Sequence, residues 1–476
     1  VKIYNSLSHE EEPFTPLEDG TVRMYNCGPT VYSEPHIGNF RSFLVADVLR
    51  RYLEYAGYDV RQVMNITDVG HLQENGEETE DKLEVAARRE QKDVWEIADY
   101  YTDVFLDLID VLNIKRADKY PRATQHVDDM IDVVKTLLDN GHAYEVDGEV
   151  YYDVHSFPEY GKLSRNTLED LEAGHRIDVD PKKKDPRDFA LWKQDPDHQM
   201  QWDSPWGKGF PGWHVECSTM ANKYLGASID VHTGGEDNIF PHHECEIAQA
   251  EAATGKPFVK YWVHIRHFLI DGEKMSKSLG NFYTVRDILE MGYDPEVLRL
   301  SLIRAHYRQN MNFRKDQLDD CQKQIDQLTG FRDRLLDVAD QNGDEDVGDV
   351  VERHCRDAKE AFDGALADDL NVSGAIGALF EFMHAINRDR PQPTAGEAAR
   401  VVDQLEAFDE VLAVLPDRET AELTPEQEEL IEQREQARNN GNYERADGIR
   451  DELLEQGVVI EDTPEGTRWT LRDEDE

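Results

Sequence analysis

The chain has 476 residues, with 52 Lys plus Arg against 100 Asp plus Glu and a formal net charge of −48. That length predicts two to four domains with substantial cores, and the acid excess by itself points away from a nucleic-acid partner, because carboxylates repel phosphates. Acid spread through an enzyme-like sequence also suits a halophile's cytosol, where molar salt cuts the Debye length to about 3 Å and screens self-repulsion.

Val1-Lys2-Ile3-Tyr4-Asn5 opens the chain without an apolar signal-type core, and no apolar run approaches the ~20 residues needed to span a bilayer. Five cysteines, Cys27, Cys217, Cys245, Cys321 and Cys355, form no dense framework, as in a reducing compartment. The expectation is a cytoplasmic protein, acting as a monomer and with no membrane partner.

The first eighty residues read as a βαβ unit. A strand over Thr21 to Asn26 ends at Cys27-Gly28-Pro29-Thr30, and a helix begins near Ile37 with Ile37, Phe40, Leu44, Val48 and Tyr55 near a 3.6-residue period. Gly57 stops it, and a second strand runs from Val60 to Ile66. Such a crossover makes parallel strands with ligands at their carboxyl ends, which brings Cys27 and Thr67 close together. An amphipathic helix is predicted over 94–112. Residues 115–205 look like an insertion, with a hairpin at 143–152 and a basic run, Lys182-Lys183-Lys184.

The α/β pattern then resumes with helices over 213–225 and 241–254, strands over 229–233 and 259–265, and a hairpin at Asp271-Gly272. Beyond 285 the chain reads as mostly helical. The divisions are 1–114 and 206–284 (two halves of a doubly wound, Rossmann-like α/β catalytic domain), 115–205 (the connective insertion), 285–340 (a helical stem-contact region), 350–415 (a helical domain) and 425–476 (a small C-terminal domain).

Two motifs carry phosphate chemistry. Pro35-His36-Ile37-Gly38-Asn39 opens the first helix, whose N-terminus carries partial positive charge. Gly38 permits close backbone approach, and His36 can donate to phosphate. A His and a Gly at a helix start ordinarily mean only capping. Lys274-Met275-Ser276-Lys277-Ser278 sits on a loop after a strand, and its lysines are mobile point charges suited to a triphosphate.

A third group comprises Trp213-His214-Val215-Glu216-Cys217, His232-Thr233-Gly234-Gly235-Glu236-Asp237 and Pro241-His242-His243-Glu244-Cys245-Glu246. His242 and Glu246 are four apart on the predicted helix and share a face. With Cys27 and Cys217 they offer a zinc donor set. Spacing alone favours buried structural thiols, since those cysteines lie 190 residues apart with no CxxC pair.

The paired motifs resemble the His-Ile-Gly-His and Lys-Met-Ser-Lys-Ser signatures of class I aminoacyl-tRNA synthetases, with Asn39 where histidine is common. The third group narrows the resemblance to the cysteinyl-tRNA synthetase family, along nearly the whole chain. It includes Ala367-Asp368-Asp369-Leu370-Asn371-Val372, Ala446-Asp447-Gly448-Ile449-Arg450-Asp451 and the tail from Gly457 to Trp469.

The resemblance implies ATP-dependent activation of L-cysteine, with Mg²⁺ carried by ATP, and transfer to the terminal adenosine of tRNA(Cys). It implies one zinc per subunit on Cys27, Cys217, His242 and Glu246, with Cys245 a competing thiolate and His214, His243 and Glu244 as alternative ligands or their partners. His36, Asn39, Lys274 and Lys277 are the implied catalytic residues, with His36, Gly38, Asn39 and Lys277 on ATP. Thr67, Trp213 and His232 are implied at the substrate, and Asp68 near its ammonium. Zinc prefers thiolate to hydroxyl and separates cysteine from serine where packing alone cannot, so no editing domain is expected.

Rival readings are a cysteine ligase with an amino-sugar acceptor, which generally lacks the anticodon-binding tail, and a silent RNA-binding paralogue. The acid excess requires the cations that face tRNA to be concentrated locally, on a track that includes Arg299, Arg304, Arg308 and Arg314.

Overall fold

The computed structural model describes residues 1–70, 81–166, 180–275, 280–341, 343, 346–418, 424–439, 442–463 and 466–471. The chain forms two compact units, Val1–Leu415 and Pro416–Glu476. The expected regions 285–340 and 350–415 therefore fall in the same unit as the catalytic halves.

Four parallel strands organise the larger unit: β1 (Thr21–Asn26), β2 (Asp59–Met64), β3 (Ile229–Gly235) and β4 (Val259–Ile265), in the spatial order β4-β3-β1-β2. β1 pairs with β2 from Thr21↔Asp59 to Asn26↔Met64, and with β3 from Met24↔Val231 to Asn26↔Thr233. The strands from the two sequence halves thus meet at β1–β3, where the order reverses and a crevice opens at the carboxyl ends. Both faces are covered. Val22, Met24, Val231 and Val263 join one core, while Tyr25, Ile229, Val259 and Trp262 join the other.

Helix α1 (Ile37–Tyr55) leaves β1 and is buried on most sides, with Ile37, Phe40, Leu44 and Val48 fully enclosed. Enclosing one such leucine contributes about 2 kcal/mol. The remaining helices that matter to the site are α2 (Lys82–Glu90), which the sequence reading did not anticipate, α3 (Trp213–Leu225) and α4 (Glu244–Thr254). The insertion carries three strands of a four-stranded antiparallel sheet, Ala143–Val146, Glu149–Tyr152 and Phe189–Lys193, and Phe210–Pro211, just beyond it, supplies the fourth. An antiparallel pair, Lys2–Asn5 with Glu10–Pro13, and a strand at Met311–Phe313 were also not expected.

The fold removes Arg299 from the arginine track. Arg299 is 1% exposed, ion-paired to Asp47 at 2.5 Å and donating to the carbonyls of Leu112, Asn113 and Leu412. It is a core strut between α1 and the helix Ala395–Leu412, made possible because its donors all find acceptors. Arg304 donates to the Cys321 thiol, Arg308 pairs with Glu11 and Asp369, and Arg314 pairs with Asp316.

In the smaller unit, helices Pro425–Asn439 and Tyr443–Glu455 accompany a hairpin of Val458–Thr463 with Gly466–Leu471. Its core comprises Ile449, Leu453, Val458 and Ile460, with Leu430 and Ile431 against it.

Candidate active site

A cavity of about 850 Å³ opens at the β1–β3 crevice. Cys27, Thr67, Trp213, Cys217 and His242 line one end of it, and His36, Asn39 and Phe282 the other.

At the second end, His36 is the N-cap of α1. Its Nδ1 accepts from the Asn39 N–H at 3.1 Å, and Asn39 Oδ1 accepts from the His36 N–H at 3.2 Å. Nδ1 being an acceptor places the ring proton on Nε2. Asn39 therefore fixes His36 through a reciprocal capping box, so the capping and phosphate readings of this motif describe the same residues. Ile37 N donates to Tyr283 O at 3.0 Å, His36 bridges to Thr284, and its ring meets Phe282 edge-on at 5.5 Å. The chain that follows the second motif is thus laced to the first. The Lys274 backbone pairs with Leu269, and Lys277 lies outside the described residues.

At the thiol end, Cys27 follows β1, Cys217 lies on α3, and His242 and Glu246 come from the turn before α4 and its first turn. Helix α4 begins at Glu244 rather than 241, because Pro241 holds Phe240 extended. His242 still reaches Glu246, Nε2 to Oε1, at 3.1 Å. The donor atoms of Cys27, Cys217, His242 and Glu246 all lie within 4.8 Å of one another. So do those of Cys27, His232, His243 and Glu246.

The surroundings separate the two sets. Glu246 is fully buried, and its other oxygen is bonded by His232 Nε2 at 3.1 Å. His243 Nε2 meets Cys27 Sγ at 3.3 Å, and its Nδ1 meets His264 at 2.8 Å. Neither His232 nor His243 lines the cavity, so His232 lies behind the wall that it was expected to form. His214 Nδ1 sits 2.9 Å from His242 Nδ1, leaving Nε2 of His242 directed at Glu246.

Cys245 belongs to neither set and contacts the Tyr160 hydroxyl at 3.4 Å. Glu244 accepts from the backbone N–H groups of Gly161, Leu163 and Ser164, tying the insertion to α4. Asp68 accepts from Thr124 N at 2.8 Å and Thr124 Oγ1 at 2.7 Å, on the side of the 122–124 loop.

Charges in the cluster oppose one another. Burial disfavours protonated His242, but Glu246 and Cys217 outweigh it and hold its pKa up to about 10. Burial pushes Glu246 up, and His232 and His242 bring it down to about 2. The Cys217 thiol is pushed well above its usual range by the hydrogen bond with Cys27, by burial and by Glu246. Two thiols and a carboxylate crowd together, and a divalent cation would relieve that conflict. The mixed S, S, N and O donors fit zinc.

Sequence reasoning missed the partners of Thr67. Its hydroxyl donates to Glu216 Oε2 at 2.9 Å and faces Asn65 Nδ2 at 3.0 Å, and Glu216 is fully buried. The only signal was the acidic residue next to Cys217.

Comparison with known proteins agrees with this geometry. Residues 13–323 match the model described as tRNA synthetases class I (C) catalytic domain, 361–416 a DALR domain, and 420–469 a cysteinyl-tRNA ligase anticodon binding domain. The chain is 45% identical to cysteine–tRNA ligases of Geobacillus and Caldicellulosiruptor saccharolyticus, in each case over 98% of this chain and 99% of the relative. Among solved structures, it resembles Mycobacterium tuberculosis methionyl-tRNA synthetase in complex with methionyl-adenylate. There the TM-score is 0.60 at 17% identity, covering 83% of this chain and 90% of that one, a likeness of fold.

Proposed function

The chain belongs to the cysteinyl-tRNA synthetase family and has cysteine–tRNA ligase activity, and from that premise we propose how its own residues divide the work. The single observation that carries the assignment is that Cys27, Cys217 and His242 share a cavity wall with Thr67 and Trp213, with His36 and Asn39 at the other end.

Cys27, Cys217, His242 and Glu246 would hold zinc. The set with His232 and His243 is less suited, because those rings are turned to Glu246, Cys27 and His264 behind the wall. Zinc held there would supply a Lewis acid that favours thiolate over hydroxyl, and so would separate cysteine from serine. His214 orients His242, and His232 orients Glu246. His232 thus acts on the substrate through Glu246 rather than by touching it. Thr67, set by Glu216 and Asn65, and Trp213, tilted over His242 at 4.6 Å, shape the space for the amino acid.

In the first step the cysteine carboxylate attacks the α-phosphate of ATP, and pyrophosphate leaves. In the second, the terminal ribose hydroxyl of tRNA(Cys) attacks the activated carbonyl and AMP leaves. Neither step needs a protein nucleophile. The work is positioning and neutralising phosphate charge. His36, donating from Nε2 at the positive end of α1, and the Asn39 cap that holds it serve the triphosphate, with Mg²⁺ carried by ATP. Gly38, packed against the His36 ring, keeps that helix start tight. Lys274 and Lys277 are assigned to the same phosphates from the motif.

The match over 420–469 disfavours the amino-sugar ligase, and the intact phosphate motifs with four candidate zinc donors disfavour the silent paralogue. The net charge of −48 supports operation in molar salt, where tRNA binding leans on stacking and shape more than on counterion release. Among the described residues, no helix is long and apolar enough to cross a membrane. The assignment is tested by charging tRNA(Cys) in molar KCl with zinc, comparing cysteine and serine. Charging with cysteine alone is expected. Equal charging with both, or none by folded, zinc-loaded protein, would contradict the assignment.

A further inference from the structure

The cavity has another wall, and the residue that ties it together lies outside every motif considered so far. His198 is a residue of the insertion, and its side chain is 1% exposed. Its Nε2 lies 3.0 Å from Asp81 Oδ2 and 3.2 Å from the Gly70 carbonyl. Its Nδ1 lies 2.7 Å from the Met200 carbonyl. The ring stacks on Phe210, with centroids 4.0 Å apart and planes 15° from parallel.

Each partner is a piece of the cavity. Gly70 and Asp81 line it from the first catalytic half, followed by Lys82 and Leu83 of α2, and Phe210 lines it from the second, followed by Pro211, Gly212 and Trp213. Asp81 is also the N-cap of α2, its Oδ1 accepting from Leu83 N at 2.7 Å. Gly70 has no room for a side chain, because a Cβ there would overlap the Asp81 carboxylate. His198 therefore holds Gly70 and Asp81 against the strand that leads to Trp213.

The hydrogen bonds decide its charge. Carbonyl and carboxylate oxygens only accept, so a ring with such oxygens at both nitrogens must donate from both, and only the imidazolium can do that. Met200 N–H also approaches Nδ1, at 3.2 Å. The contact to Met200 O is the shorter one, and with the Asp81 carboxylate at the other nitrogen it favours the charged ring. We propose that His198 is a positioning residue for cysteine activation: as an imidazolium it locks Gly70 and Asp81 to the Phe210–Trp213 wall, and it releases them when it loses its proton.

The charged groups facing the ring are Asp81 and Glu84, both at the start of α2. Phe210 and Gly70, from the other packed elements, are uncharged. On its own turn, Asp195 spends a carboxylate oxygen on the Asp197 N–H at 2.9 Å. Burial works against the charged ring, but the Asp81 hydrogen bond and charge, with Met200 O and Glu84, raise its pKa above the ordinary 6.5. The lock is therefore complete below that value and is lost as pH rises through the raised one.

The inference rests on reading the cavity as the site of cysteine activation, and the test separates the two. First, the Cε1–H resonance of His198, identified by its absence in His198→Gln, is followed with pH. Titration above 6.5 is expected, and titration at or below 6.5 would overturn the imidazolium. Second, ATP–pyrophosphate exchange with cysteine is measured for wild type and H198Q from pH 6.5 to 9.5. In the ratio of their kcat/KM values, the substrate's own titrations cancel. Gln offers one amide in place of two charged donors, so a ratio of about tenfold at the low end is expected, falling towards one as His198 deprotonates. A ratio constant with pH, in a protein whose His198 does titrate above 6.5, would reduce the residue to a structural one and overturn the positioning role.

Discussion

The two ends of the cavity are built on opposite plans. The thiol end gathers Cys27, Cys217, His242 and Glu246 from β1, α3 and the start of α4, and the last three are nearly or fully buried. His242 and Glu246 have partners behind them, His214 and His232, as the neighbouring Thr67 has Glu216. The phosphate end is local, with His36 and Asn39 three residues apart on one helix start and laced to residues 282–284. Telling sulfur from oxygen requires donors that cannot shift, whereas a triphosphate whose charge moves during reaction is served by a helix dipole and long cationic side chains. On the proposed reading, rigid selection and adaptable neutralisation share one cavity without sharing residues.

The largest expected break in that contrast is Cys217→Ser. It should strip zinc from the protein and lower kcat/KM for cysteine in ATP–pyrophosphate exchange by at least about 100-fold, with KM for ATP little changed. Metal content and exchange kinetics on the same sample check both halves. His214→Ala removes only the partner of His242 Nδ1, and should weaken zinc binding by about 10–100-fold in a chelator competition.

Asn39→Ala strikes the other end. Losing one half of the capping box costs about 1 kcal/mol. That cost should appear as a KM for ATP raised about fivefold, with KM for cysteine and zinc content unchanged. A loss of zinc in this variant would show that the two ends are not independent.

The smallest effect is one of pH. In the metal-free cluster, the pKa of His242 is raised from 6.5 to about 10, so its contribution is complete below 6.5 and is lost as pH rises towards 10. That of Glu246 is lowered from 4.5 to about 2, so its contribution is present above 4.5 and is lost as pH falls towards 2. Zinc binding gains as the competing protons leave. The drop in Tm caused by a chelator should therefore widen by a few degrees between pH 7 and pH 9.5, at about 1 °C per kcal/mol for a chain of this size. A drop constant over that range would remove His242 from the set.

The contrast also explains what the sequence could tell. β1, α1, α3 and β4 were legible because period and flanking glycines agree with burial, and the phosphate motifs because their residues are neighbours in sequence. The thiol end was not legible from spacing, since its cysteines are 190 residues apart, and only resemblance assembled it. Arg299 was misplaced because a sequence does not distinguish an arginine facing solvent from one whose donors all meet carbonyls and Asp47. Glu216, Asp81 and His198 were missed because their significance lies in partners contributed by remote segments.

The central claim is that the substrate thiol is read by a metal held on two cysteines, one histidine and one glutamate. Zinc-edge X-ray absorption of the zinc-loaded protein, with and without L-cysteine, tests it most directly. Two sulfurs at about 2.3 Å are predicted without substrate, and three with cysteine but not with serine. A single sulfur, unchanged by cysteine, would place the metal on Cys27, His232, His243 and Glu246 and contradict the account.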